Sequence, residues 1–204
     1  MRKGLPVLLV LLGILLIGGC YSCNIQKSLV ALDEDVKGRW ADVQNQYQRR
    51  ADLIPNLVAT VKGAANFEQQ TQVGVAAERA GRASGALKSA ATAGTEPTDE
   101  NVQRLQQAAA EAQTAARNFI NISVEAYPQL RATEAFLGLQ TQLEGTENRV
   151  TTSRNAYNRT VQDYNVKVRT FPNNIFAGML GFQQRATFQA APGSETAPKV
   201  DFGG

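Results

Sequence analysis

The chain is 204 residues long, 43% hydrophobic and 19% charged, with 21 Lys and Arg against 18 Asp and Glu. That length suits one ordinary domain with appendages. Arg2 and Lys3 supply two units of the formal +3 charge, so the remaining body is too near neutral for a nucleic-acid binder. Histidine is absent and the only cysteines are Cys20 and Cys23. Ser-His-Asp and Cys-His catalysis, His-ligated zinc, haem on a proximal His and Glu-x-x-His di-iron sites are excluded, and the body offers no thiol.

The first 23 residues predict an address and an anchor. Arg2 and Lys3 precede an apolar core from Leu5 to Ile17, whose 13 residues cover about 20 Å as a helix, short of a ~30 Å hydrocarbon layer. This is the three-part form of a secretory signal. Ile17-Gly18-Gly19-Cys20 also resembles a bacterial lipobox, in which the small residues admit the peptidase and the Cys20 thiol carries the lipid. The alternative is an uncleaved signal anchor. Extended through Tyr21 to Cys23, the run is 19 residues long with an interfacial aromatic. In both readings the basic start stays inside and the body is exported and held at a membrane surface.

From Ile25 onward the apolar spacing is helical. Leu29, Leu32, Val36, Trp40, Val43, Tyr47, Ala51 and Ile54 fall three or four residues apart, with Asp33, Glu34, Asp35, Lys37, Arg39, Asp42 and Gln44 expected on the opposite, solvated side. Pro55 predicts a bend or break leading into a second segment, about 56–88, rich in Ala and Gly and therefore thin and mobile. Residues 90–99, with Gly94, Pro97 and a Thr95 or Thr98 cap, predict a loop. A third helix, about 99–125, carries the seam Val102, Leu105, Ala109, Ala112, Ala116, Phe119, Ser123. Tyr127-Pro128 ends it. The fourth, about 129–171, places Phe136, Leu143, Val150, Tyr157, Tyr164 and Phe171 seven apart, with Val161 and Val168 beside them. No stretch alternates with a period of two for long enough to make a sheet. Short connections make neighbours antiparallel, so the predicted fold is all-α: an elongated antiparallel bundle of three to four long helices on an N-terminal membrane anchor. The predicted organisation is an anchor over 1–23, a bundle over 24–182 with a short apolar appendix at 175–182, and a disordered tail over 183–204.

Five blocks in order carry a resemblance. Asn45-Gln46-Tyr47-Gln48-Arg49-Arg50-Ala51-Asp52-Leu53-Ile54-Pro55-Asn56-Leu57-Val58 is similar to the signature of the LemA family of bacterial envelope proteins. The later blocks are Tyr127-Pro128-Gln129-Leu130, Leu143-Glu144-Gly145-Thr146-Glu147-Asn148-Arg149, Gln162-Asp163-Tyr164-Asn165 and Phe171-Pro172-Asn173-Asn174. The likeness runs from the N-terminus to about residue 182, loosely across 74–102. It implies a helical bundle on an N-terminal membrane anchor, facing out of the cytoplasm. It supplies no reaction and no catalytic residue.

The charged signature residues predict a layer. From Tyr21 to Arg50 is about 44 Å of helix, and from Phe171 back to Glu144 about 40 Å. If both helices start from one surface, Arg49, Arg50 and Asp52 come level with Glu144, Glu147 and Arg149. These six form either a register-fixing layer of ion pairs or a patch for a protein partner or a second copy. Glu144 and Glu147 share a helix face, which admits a carboxylate hydrolase as the least favoured alternative; Arg149 nearby would keep both ionised. The expected role is non-catalytic: a membrane-tethered scaffold or adaptor with a protein partner or homo-oligomer, no cofactor, no metal, no nucleic acid and no small-molecule substrate. A sensor or substrate-presenting partner of an envelope protease or signalling protein is the alternative.

Overall fold

The computed structural model describes residues 4–65 and 71–189, with side chains described for 22–64 and 71–189. Among these residues the chain is all-helical, without strands. Helix α1 is Gly4–Ala65, α2 Gln72–Thr92, α3 Asp99–Ala126, α4 Glu134–Arg169 and α5 Asn173–Leu180, with a 3₁₀ turn at Pro128–Ala132 between α3 and α4.

The stripe expected on α1 is its buried face, from Leu29 through Ile54 and on to Leu57 and Val61, with Leu32 half-buried. Pro55 lies inside α1 and does not end it. A proline at this position cannot donate to the carbonyl four residues back, that of Ala51. The vacancy is filled from α2: the buried Ser84 hydroxyl donates to the Ala51 carbonyl at 2.6 Å. With its orphaned acceptor satisfied, the helix continues for ten residues.

The single segment expected over 56–88 is instead two helices, α1 ending at Ala65 and α2 starting at Gln72. Thr71 caps α2, its hydroxyl accepting from the Gly74 amide at 3.1 Å. Residues 62–92 contain no proline, so the sequence lacks the usual mark of a reversal. The 90–99 loop falls where expected. Thr98 caps α3, and Gly94 (φ 81°) turns the chain so that its carbonyl accepts from Gln44 at 3.0 Å and from the Trp40 indole at 3.4 Å. A Cβ on Gly94 would meet the Asn101 amide.

Helix α1 packs along α4 and α2, and α2 packs along α3. The register is antiparallel: Trp40 contacts Tyr157 and Arg50 contacts Glu147, ten residues apart on each helix. The seam expected on α3 is buried throughout, as are Phe136, Val150, Tyr157, Tyr164, Val161 and Val168 on α4. Phe171 departs from the pattern at 75% exposure, because α4 ends at Arg169 and Thr170 is extended, so the heptad phase no longer applies.

Residues 183–189, expected to begin the disordered tail, are instead placed against the bundle, and the rest of that expected tail, 190–204, lies outside the described residues. Residues 183–189 form an extended strap along α4 toward its N-terminal half. Gln183, Arg185, Ala186 and Phe188 are bonded through their backbone to Tyr164, Asn165, Tyr157 and Asn158 respectively. Phe188 is buried against Trp40 and Tyr157, with ring centroids 6.0 and 5.5 Å away, and Arg154 lies 4.9 Å over its ring. The composition that suggested disorder begins only after this anchored segment. Cys20, the expected lipidation site, lies outside the described side chains, and so does the apolar run 5–17 expected to form the anchor. Among the described residues no helix is long and apolar enough to cross a membrane.

Candidate functional site: the polar layer and the charged ring

The six charged signature residues separate into three groups. Arg50 lies on the inward face of α1 with Tyr47, Ala51 and Ile54, and its guanidinium reaches Glu147 of α4 at 2.7 Å. Arg50 is buried, whereas Glu147 keeps 39% of its side chain exposed. Asp52 pairs sideways with Lys88 of α2 at 2.7 Å, both side chains more than half exposed. Arg49, Glu144 and Arg149 are exposed and make no ion pair within 4.0 Å among the described residues. The helical turn of 100° per residue explains the division, since it puts Arg49 and Arg50 on different faces of one helix. The cation beside Glu147 is therefore Arg50 and not Arg149.

Around this pair, Gln113 and Arg117 of α3 and Gln140, Glu144 and Glu147 of α4 line a cavity of about 350 Å³ with Arg50. Burial lowers the Arg50 pKa from its ordinary value; Glu147 and Tyr47 oppose that shift and Arg117 adds to it. Burial raises the Tyr47 pKa against the pull of Arg154 and Arg50. The result is a set of opposed charges with a protonated phenol beside it. An Arg buried without its carboxylate carries a full desolvation cost, whereas the pair adds little net stability.

A second charged cluster joins three separate parts of the chain, α1, the α2–α3 loop and the strap. Asp33, expected on the solvated side of α1, is only 8% exposed. Its carboxylate accepts from Arg185 of the strap at 2.8 Å and from Lys37 at 3.2 Å, and both cations also reach Glu96 of the α2–α3 loop at 3.1 Å. The four charges close an alternating ring. The hydrogen bonds of Glu96 and then Asp33 raise the Lys37 pKa. Burial works most strongly against the Arg185 charge, but Asp33, Tyr164 and Glu96 together outweigh it and the pKa ends above its usual value. Sequence reading missed this ring. Asp33 and Lys37 are legible as an i, i+4 pair, but nothing local announces that Arg185 will cover them.

The Tyr157 and Tyr164 hydroxyls donate to the Ala186 and Gln183 carbonyls at 2.8 and 2.9 Å. Burial raises both pKa values and keeps both phenols as donors. Among the described residues no group of three or more Asp, Glu or Cys is placed to hold a metal ion. Cys23 is a free, exposed thiol.

Comparison with known proteins gives the wider context. The LemA family model matches residues 39–202, most of the chain and all of the geometry just described apart from the first part of α1 and Asp33 and Lys37. The curated proteins Magnetosome protein MamQ 1 and Magnetosome protein MamQ 2 of Paramagnetospirillum magneticum are each 32% identical over 73 residues, covering 36% of this chain. That match spans 27% of the length of each relative.

Proposed function

The chain belongs to the LemA family, and from that premise we propose that it is a non-catalytic helical scaffold or adaptor of the bacterial cell envelope. In this reading residues 1–23 tether the bundle to a membrane and its body lies outside the cytoplasm, toward a protein partner or further copies. The observation that carries it is the commitment of the buried polar groups. Arg50 is tied to Glu147, Asp33 to Arg185 and Lys37, and the Tyr157 and Tyr164 hydroxyls to backbone carbonyls. A catalytic acid or nucleophile needs a free pair of electrons or a mobile proton facing a substrate. These side chains spend theirs on holding helices and strap in register.

Proximity labelling in intact cells, together with the size of the full chain solubilised in detergent, tests the scaffold role. A reproducible set of neighbours or an oligomer is expected. A monomer without neighbours overturns it. Changing both Glu144 and Glu147 to Gln tests the hydrolase alternative, since loss of an enzymatic activity without loss of helix content would replace the scaffold reading. Tethering is proposed through either an acylated Cys20 or the uncleaved apolar run. Mass spectrometry of the mature chain separates them: an acyl-cysteine N-terminus marks the first, and retention of residues 1–19 the second.

A further inference from the structure

The bonds that hold the strap follow a repeat. Asn165 donates to the Arg185 carbonyl and accepts from the Arg185 amide, both at 2.9 Å. Asn158 does the same for Phe188, at 3.0 and 2.9 Å. The two asparagines are one heptad apart on α4, which is about 10 Å along a helix. Arg185 and Phe188 are three residues apart on an extended chain, again about 10 Å. The spacings agree, so α4 presents two amide clamps in step with an extended backbone. A carboxamide that donates and accepts on one residue pairs with the main chain of any non-proline residue, as a neighbouring strand would.

Sequence preference comes from two receptors beside the clamps. Asp33 and Glu96 take the Arg185 guanidinium. Trp40, Tyr157 and the Arg154 guanidinium enclose the Phe188 ring. Arg154 and Gln106 also donate to the Gln189 carbonyl at 3.0 and 2.9 Å, extending the track by one residue. A left-handed helix cap precedes all of these contacts: Gly181, at φ 80°, ends α5 with its amide bonded back to the Ala177 and Gly178 carbonyls.

We propose that the α1–α4 groove is a docking site for an extended Arg-x-x-Phe peptide, and that a second copy of this chain fills it by exchanging residues 183–189. Every copy carries both the groove and the segment that fits it, and a swapped strap makes the contacts of the resident one. Charge also favours this occupant, since Arg185 brings the cation that Asp33 and Glu96 receive. The proposal deepens the scaffold reading and rests on it only for bringing copies to one surface.

Two defective full-length variants in detergent test it by complementation. Arg185→Ala with Phe188→Ala leaves the groove intact and disables the strap; Asn158→Ala with Asn165→Ala does the reverse. Each alone should run as a single copy, and mixing them at micromolar concentration should give a one-to-one pair by native mass spectrometry. A labelled peptide of residues 183–189 added to the strap-defective variant gives a second measurement that needs no asparagine variant to fold. It should bind, and replacing its phenylalanine with alanine should weaken binding about tenfold or more. Failure to capture the peptide overturns the site. Capture of the peptide without pairing of copies overturns the second-copy assignment. A chain that has neighbours in cells but captures no peptide loses this proposal and keeps the scaffold reading.

Discussion

The α1–α4 and α2–α3 contacts are both antiparallel helix pairs, built from opposite ends of the size range. Between α1 and α4 the fully buried side chains include Trp40, Tyr47, Tyr157, Tyr164 and Phe136. The α2–α3 pair buries Ala76, Ala77, Ala80, Ala90, Ala109, Ala112 and Ala116, with Leu87, Leu105 and Phe119 as the larger members. An aromatic side chain removes about 150–250 Å² from water, at roughly 25 cal/mol per Å². Alanine removes a fraction of that and lets the helix axes approach. One contact holds by buried area and the other by close fit, so they should fail in opposite directions.

The largest expected effect is Trp40→Ala. It removes the residue that packs against Tyr157, Phe188 and the Gly94 carbonyl together, and should cost about 3–5 kcal/mol in urea unfolding. A loss under about 1 kcal/mol would refute the area argument. The converse change is Ala112→Leu in the α3 seam, which adds volume where nothing is exposed and should destabilise by about 1–3 kcal/mol. If that variant were more stable than the parent, the alanine contact would be underfilled and not tight.

The polar layer offers a third contrast. Glu147→Leu leaves Arg50 buried without its carboxylate and should cost about 2 kcal/mol. Adding Arg50→Met should restore most of it, and a thermodynamic cycle on the two changes reads the coupling directly. Ser84→Ala deprives the Ala51 carbonyl of its donor and should cost about 1 kcal/mol, visible as a lower urea midpoint with unchanged slope. In a Pro55→Ala background the helix amide would supply that donor, so the Ser84→Ala cost should shrink.

The last contrast is silent at neutral pH. Burial raises the pKa values of Tyr47, Tyr157 and Tyr164, and the hydrogen bonds of Glu96 and Asp33 raise that of Lys37. In the unfolded chain these groups titrate near 10.0 and 10.5. Above about pH 10 the unfolded state therefore holds fewer protons than the folded one, and stability falls as pH rises. The stabilisation is complete below that point. Melting temperature should drop from about pH 10 upward, and tyrosinate absorbance for the three buried phenols should appear only with unfolding. Free titration of all five tyrosines in the folded chain would contradict the burial.

Much of this was legible in the residues. The stripe from Leu29 to Ile54 and the α3 seam follow from spacing, because a helix places every third or fourth residue on one face whatever lies opposite. The sequence narrows the α3 cap only to Thr95 or Thr98, and the structure selects Thr98. The pairing of the Arg50 block with the Glu147 block followed from counting rise along two helices. The membership of each face was less accessible. Arg50 and Arg49 are equivalent in type, and only the partner helix decides which one it covers. Asp33 shows the same limit, because its burial depends on a strap residue 152 positions away.

By itself, then, the sequence determined what each segment is: helix periods, caps, apolar faces, the lack of histidine chemistry and the family blocks. All of these depend on neighbours within a turn or two. The tertiary structure decided that α2 packs back along α1, who satisfies the carbonyl that Pro55 leaves unpaired, and that residues 183–189 are gripped by Asn158 and Asn165. Those outcomes pair hydrogen-bonding groups between segments distant in the chain, and such pairing costs or stabilises only once packing has excluded water from both partners.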